Sequence, residues 1–235
     1  FEAANGYLAT ITIAPELPEA NAVAIDLAGG GVVPSVGHTD AHARETTEFL
    51  RVARLALVGT GSVPTVTHLF NAMRPIHHRD PGPALAGLAA AARGEAVVEL
   101  IADGIHLDPA TVTAVFDMIG PTGIALVSDA TAAAGMGDGN FLLGGCAVNV
   151  REGRATLADG HTISGGTAHL LDVVRCSVAA GVRLVDAVQS ASTTPADVLG
   201  RSDLGRLENG ARADILLTDA KLVPVEVYRS GVKVH

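Results

Sequence analysis

The sequence contains no tryptophan, and aromatic residues make up only 3% of it, as five Phe and two Tyr. A core with so few rings must be built from Ala, Val, Leu and Ile, as in parallel sheets sandwiched between helices. Cysteine is equally scarce: Cys146 and Cys176 stand far apart, with neither a CxxC nor a Cys/His spacing. That argues against a disulfide framework and for reduced thiols in a cytoplasmic protein. Basic runs are absent and the formal charge is -9, which speaks against a nucleic-acid backbone or an anionic membrane as partner. No stretch reaches the roughly 18 consecutive apolar residues of a membrane span, and no signal peptide is visible. The partner left is a small molecule. At 235 residues and 48% hydrophobic, the chain suffices for one large α/β domain or two small ones. It opens on Phe1 rather than Met, in residues that read as the end of a helix.

Short apolar runs alternate with longer helical patterns, and the runs repeatedly end in polar residues. That is βα repetition. Strands are expected over 8–16, in "VVPSVGHTD" ending at Gly37 and His38, in "VPTVTHLFNAM" ending near His68, in "AVVELIADGIH", and over 123–131 with Asp129 at its carboxyl end. About five parallel strands result. Helices are expected from Asp40 to near Gly59 and from Pro83 to Gly94. Another follows Asp108, which is placed to cap it, with Pro109 in its first turn and Val112, Val115, Phe116 and Ile119 on one face. From Gly139 the alternation shortens into antiparallel hairpins. Helices then return over 167–180 and 184–199, the second interrupted near Thr194 and Pro195, and the tail ends in short strands divided by Asn-Gly and Ser-Gly turns.

In a barrel of parallel strands, catalytic residues project from the carboxyl ends. Those positions carry His38, His68, His106 and Asp129. Taken singly, each has a plain alternative as a turn or cap residue; four in succession are harder to dismiss. Two imidazoles from adjacent strands plus a carboxylate suit zinc with a position left for water, whose pKa falls to about 7. A nearby Asp exchanges the protons. This is hydrolytic chemistry. "HHRDPG" puts Arg79 on a loop held by Pro81 and Gly82, either to grip a phosphate or carboxylate or to pair with Asp80 at the surface. Asn71 stands near His68, and Ser164 and Gly165 in "TISGG" are either a helix cap or a substrate loop. The glycine clusters "MGDGN" and "LAGGG" match no dinucleotide fingerprint or P-loop. His42, His161, His169 and His235 are assigned to the surface or to caps.

The phrases "TIAPE", "GHTDA", "THLFNAM", "HHRDPG", "ADGIHLDP", "VSDATAAAGM" and "TISGG", with the closing "GRLENGARADILL", resemble in this order the N-acetylglucosamine-6-phosphate deacetylases of the amidohydrolase superfamily. The resemblance implies an α/β fold, a (β/α)₈ TIM barrel present here as about five strands, with a small β-sandwich domain. The division implied is 1–138 for barrel strands and helices, 139–162 for a β segment of the small domain, 163–204 for barrel-packing helices, and 205–235 for the small domain's C-terminal strands. It implies hydrolysis of the acetamide of N-acetylglucosamine 6-phosphate to glucosamine 6-phosphate and acetate, with one divalent ion, zinc by expectation, per site. By position His38 and His68 match metal ligands and Asp129 the catalytic acid and base. Asn71, Ala72, Arg79, Asp103, Gly104, Ile105, His106, Ile163, Ser164 and Gly165 match substrate contacts, with His106 also steadying the oxyanion. The resemblance further implies a homodimer in which Arg79 serves the neighbouring subunit's site.

Relatives carry a "HLEGPF"-like stretch before "TIAPE", whose Glu completes the metal site, and nothing here matches it. The chain is therefore expected to be the C-terminal two-thirds of such an enzyme, with an open sheet edge and an unfilled barrel interior. Two other readings stand beside the first. One is a sibling acting on N-acetylgalactosamine 6-phosphate or an unphosphorylated acetamido sugar; the other is a non-catalytic sugar-phosphate-binding fragment.

Overall fold

The structure is a computed structural model, and it describes residues 2–235. Phe1 lies outside the described residues, and Glu2–Ala4 form a single 3₁₀ turn where the opening reads as a helix end.

Five strands build the central sheet: β1 (Thr10–Ile13), β2 (Val33–Val36), β3 (Thr65–Val66), β4 (Val97–Leu100) and β5 (Ile124–Leu126). They lie in chain order and every pairing is parallel. Parallel neighbours need a crossover, supplied by helices α1 (Ala20–Gly29), α2 (Ala43–Ala56), α3 (Gly82–Ala92) and α4 (Pro109–Ile119). The strands are shorter than the apolar runs that announce them, because the residues after each one leave the ladder to form the βα turns. Helix α1 joins β1 to β2 and was not expected; its alanine-rich sequence carries little amphipathic contrast. Helix α4 forms as its sequence predicts: Asp108 accepts from the Ala110 N–H at 2.8 Å, and Val112, Val115 and Phe116 are buried.

The period of two along each strand sorts the sheet's faces. Val36, Val66, Val98, Leu100, Ile124 and Leu126 pack with Phe49, Leu50, Leu88, Val115 and other helix residues into the main core. On the opposite face Val33, Val97 and Ala125 close one end with Leu57 and Val198. Nearer the carboxyl ends this face turns polar. Thr67 Oγ1 lies 2.9 Å from Thr12 Oγ1 and 2.6 Å from Ser35 Oγ, and Glu99 follows on β4.

After β5 the chain makes a three-stranded antiparallel sheet of β6 (Gly139–Leu143), β7 (Cys146–Arg151) and β8 (Arg154–Leu157). Val148, Val150, Ala155 and Ala133 give it an apolar cluster of its own. Helices α5 (Leu170–Ala180), α6 (Leu184–Ala191) and α7 (Thr193–Val198) follow. What reads as one interrupted helix over 184–199 is two, broken at Ser192, with Pro195 in the first turn of α7 where its missing N–H costs nothing. A second antiparallel sheet, β9 (Ile215–Thr218), β10 (Pro224–Arg229) and β11 (Val232–Lys233), ends the chain. Arg175 of α5 ties in the loop before β10 by donating to the Leu222 carbonyl from Nε and Nη2 at 3.1 and 2.9 Å. Among the described residues no helix is long and apolar enough to cross a membrane.

Candidate active site

His38, His68 and Asp129 each follow a parallel strand, and all three have left-handed backbones, with φ of 47°, 30° and 46°. Residues with a Cβ avoid this region. It persists where surrounding contacts impose it, and such sites cluster where function requires a particular aim. Here the turns after β2 and β3 bring the His38 and His68 rings together. Gly37 permits the His38 turn, since a Cβ there would lie 2.8 Å from both Thr12 Cγ2 and Thr67 Cβ.

The result is a pair of imidazoles from adjacent strands. His38 Nε2 lies 2.9 Å from His68 Nε2, with the rings edge to face. His68 is buried and His38 is exposed, so the pair has one closed and one open side. Burial pushes the His68 imidazole below the ordinary His range, and the adjacent His38 adds to this against opposing hydrogen bonds and the Asp129 carboxylate. Neutral imidazole is the form that binds metals. A concavity of about 680 Å³ opens beside His38, lined by Glu16, Thr39, Asp40, Ala72, Met73, Arg74 and Pro75.

Asn71 packs behind the pair, its Nδ2 donating to the His68 carbonyl at 3.1 Å. Ala72, also left-handed at φ 49°, accepts the Thr39 N–H through its carbonyl at 3.0 Å. At the end of β4, Asp103 and His106 form a buried pair, with side chains 1% and 3% exposed. His106 Nδ1 lies 2.8 Å from Asp103 Oδ2, while Asp103 Oδ1 accepts the N–H groups of Ile105 and His106 at 2.9 Å each. Burial pushes the Asp103 carboxyl up, but these bonds outweigh it and hold it below the usual range. His106 Nε2 is buried without a hydrogen-bond partner among the described residues. With Nδ1–H given to Asp103, Nε2 accepts from a hydroxyl when the ring is neutral and donates to an oxyanion only when it is protonated.

The excursion through β6–β8 brings the "TISGG" segment back to Asp129. The Ser164 N–H donates to the Ala155 carbonyl at 3.0 Å and the Gly166 N–H to the Asp129 carbonyl at 2.7 Å. Ile163, Ser164 and Gly165 thus lie between β8 and the end of β5, and the cap of α5 is His169 instead. A Cβ on Gly166 would stand 2.1 Å from the Ser128 carbonyl oxygen. Gly166→Ala should therefore lower stability by about 1–3 kcal/mol and displace Asp129. Urea unfolding measures the first effect and turnover the second.

Arg79 stands apart from this group. It is exposed, and its Nη1 lies 2.8 Å from His78 Nε2. Asp80, the expected surface partner, pairs instead with Arg74 Nη2 at 3.2 Å and His42 Nδ1 at 3.1 Å. His42 begins α2, where its N–H donates to Glu45 at 2.7 Å.

Two carboxylates escaped the reading of the sequence. Glu16 holds the loop beyond His38, and Glu99 on β4 sits under the His68 backbone, its Oε2 accepting the His68 N–H at 3.4 Å. Burial raises the Glu99 carboxyl to about 7, opposed by that N–H and helped by Asp129. An acidic residue inside an otherwise apolar strand run was the available signal.

Residues 38–234 match the Amidohydrolase family. The chain belongs to the amidohydrolase family. Enzymes of this family are metal-dependent, and its TIM-barrel type of fold accounts for the parallel sheet. This amidohydrolase is 36% identical over 233 residues to the N-acetylglucosamine-6-phosphate deacetylase of Danio rerio, with 97% of this chain and 55% of that protein covered. To the human protein of the same name it is 37% identical over 227 residues, covering 94% and 53%. A solved structure of the Mycobacterium smegmatis N-acetyl-D-glucosamine-6-phosphate deacetylase is a mutant in complex with N-acetyl-D-glucosamine-6-phosphate. It superimposes with a TM-score of 0.90 at 38% identity, covering 99% of this chain and 59% of that one. The chain spans about half the length of the named relatives it matches.

The amidohydrolase residues fit a divalent ion in part. Two nitrogens bound about 2.0–2.1 Å from a tetrahedral ion lie roughly 3.3 Å apart, and the facing nitrogens of His38 and His68, at 2.9 Å, come near this. Among the described residues no group of three or more His, Cys, Asp or Glu converges to hold a metal. The imidazole pair thus offers two nitrogen donors at a spacing near that which an ion bridges.

Proposed function

We propose that this chain carries most of the active site of a metal-dependent deacetylase that hydrolyses the acetamide of N-acetylglucosamine 6-phosphate to glucosamine 6-phosphate and acetate. One observation carries the reading: His38 and His68 face each other through Nε2 at 2.9 Å, at adjacent strand ends, in backbones bent for the purpose. The names of the relatives support the substrate class.

In this reading His38 and His68 hold a divalent ion, zinc being the proposed one because imidazole suits it. When bound, the ion polarises the acetamide carbonyl and lowers the pKa of water. Asp129 takes the proton from the attacking water and passes it to the leaving amine. His106, in its protonated form, donates from Nε2 to the developing oxyanion, with Asp103 fixing its ring. Asn71, Ala72, the Asp103–Gly104–Ile105 turn and the Ile163–Ser164–Gly165 segment line the sugar's berth. Arg79 binds the phosphate of a substrate in the neighbouring subunit of a homodimer. Its exposure, and its lack of a carboxylate partner among the described residues, support that role.

The proposed layout has barrel strands and helices over 1–138, a β segment over 139–162, packing helices over 163–204 and strands over 205–235. The two β pieces together form a small β-sandwich. A cytoplasmic place is proposed with it, supported by the two free thiols, Cys146 and Cys176.

The test is acetate release. N-acetylglucosamine 6-phosphate should turn over, and removing its phosphate should lower kcat/KM by about a hundredfold, far more than removing the anomeric hydroxyl. Arg79→Ala should abolish most of that difference. Equal losses for the two truncated substrates would remove the phosphate role, and faster turnover of the galacto epimer would reassign the substrate. Absence of acetate from every substrate, in a preparation of the enzyme shown to hold its metal, would overturn the reading.

A further inference from the structure

We infer that Glu16 is a positioning residue that braces the His38 turn and, through Thr39, the loop bearing Asn71 and Ala72. The inference rests on the proposed function in taking His38 as a metal ligand.

Glu16 lies just beyond β1, yet its carboxylate is spent on the next strand's loop. Oε2 accepts the Thr39 hydroxyl at 2.5 Å, and Oε1 accepts the Asp40 N–H at 2.8 Å. Thr39 is buried and fully engaged. Its Oγ1 also accepts the Ala41 N–H at 2.9 Å, and its own N–H donates to the Ala72 carbonyl at 3.0 Å. Thr39 also forms a parallel bridge with Met73. Three successive strand-end loops are thereby joined through the residue next to His38. His38 itself has φ 47°, a conformation that persists only when neighbours impose it. Among the described residues its ring makes one hydrogen bond, to His68, so the aim of Nε2 depends on how firmly its own backbone is held. Glu16 supplies that hold from one side and Ala72 from the other. Both charged oxygens of Glu16 are used as acceptors, a task Gln performs by half because its amide nitrogen cannot accept.

The experiment compares the full chain with Glu16→Ala, Glu16→Gln and Thr39→Val. Hydrogen exchange at the 38–42 amides reports the brace, and titration with Co²⁺, followed by its visible absorption, reports the ligand. Glu16→Ala should speed exchange at Asp40 and weaken Co²⁺ binding, each about tenfold, with Glu16→Gln in between. Thr39→Val should reproduce the loss, and its result decides if Glu16→Ala does not fold. Exchange unchanged in both loss variants overturns the brace. Faster exchange with unaltered Co²⁺ affinity overturns its service to His38. A parent chain that binds no Co²⁺ overturns the metal reading of His38 and with it that service, whereas faster exchange in Glu16→Ala would still establish the brace.

Discussion

On the proposed function, replacing Asp129 with Asn should lower the rate of acetate release by about 10³-fold and leave bound metal unchanged. Asn is the informative substitution for two reasons. It keeps the size and one acceptor oxygen of the carboxylate but cannot carry a proton at neutral pH. It also tolerates the left-handed backbone that Asp129 occupies at φ 46°, which Ala does not. Folding is therefore preserved, and so are the contacts around the residue, since Gly166 bonds the Asp129 main-chain carbonyl and not its side chain. Metal analysis and single-turnover kinetics on the same preparation separate the outcomes. Loss of metal would make Asp129 a ligand instead of a proton carrier. Unchanged turnover would end its role altogether.

The second large effect is expected at Asp103. Asp103→Ala strips a buried imidazole of its partner and leaves the Ile105 and His106 N–H groups unanswered. Breaking a buried pair of this kind costs about 3–5 kcal/mol, a large share of a typical stability of about 5–15 kcal/mol. Asp103→Asn should cost much less, because the amide oxygen still accepts both backbone donors. Its amide nitrogen, however, now faces His106 Nδ1 and forces the other tautomer, with the proton on Nε2. Nitrogen NMR of His106 reads that change directly. The effect of Asp103→Ala should also shrink in acid. The folded carboxyl sits below its ordinary value of 3.8, so between the folded value and 3.8 the unfolded chain binds more protons and stability rises with pH. Asp103's contribution is complete above that window and disappears as pH falls through the folded value. Urea unfolding of parent and variant from about pH 2 to pH 7 spans it, and a difference that does not change with pH would refute the pairing.

Much of this fold is legible from short-range patterns. The cap at Asp108 and the apolar face of α4 involve residues within a few positions of one another, so spacing alone reveals them. The polar residues that end the strands are visible in the same way. Helix α1 is not, because small residues offer no clear periodicity. Nor is the break at Ser192 placed correctly, since a proline is tolerated in the first turn of a helix as well as before it. At Arg79 only the tertiary structure removes the surface pair, because Asp80 is claimed by Arg74 and His42 from elsewhere. Glu99 went unnoticed since its burial and its contact with His68 depend on the neighbouring strand.

The sequence by itself determined the alternation of strand and helix, the placement of His38, His68, His106 and Asp129 at strand ends, and the ring-poor aliphatic core. Only the tertiary structure decided that two histidines 30 positions apart meet at 2.9 Å, that Gly166 returns to Asp129, and that Glu16 secures the loop after His38. The reason is one of range. Periodicity and capping arise from neighbours along the chain, while convergence at a site requires parallel pairing of distant strands and left-handed turns that no residue there, lacking glycine's freedom, announces beforehand.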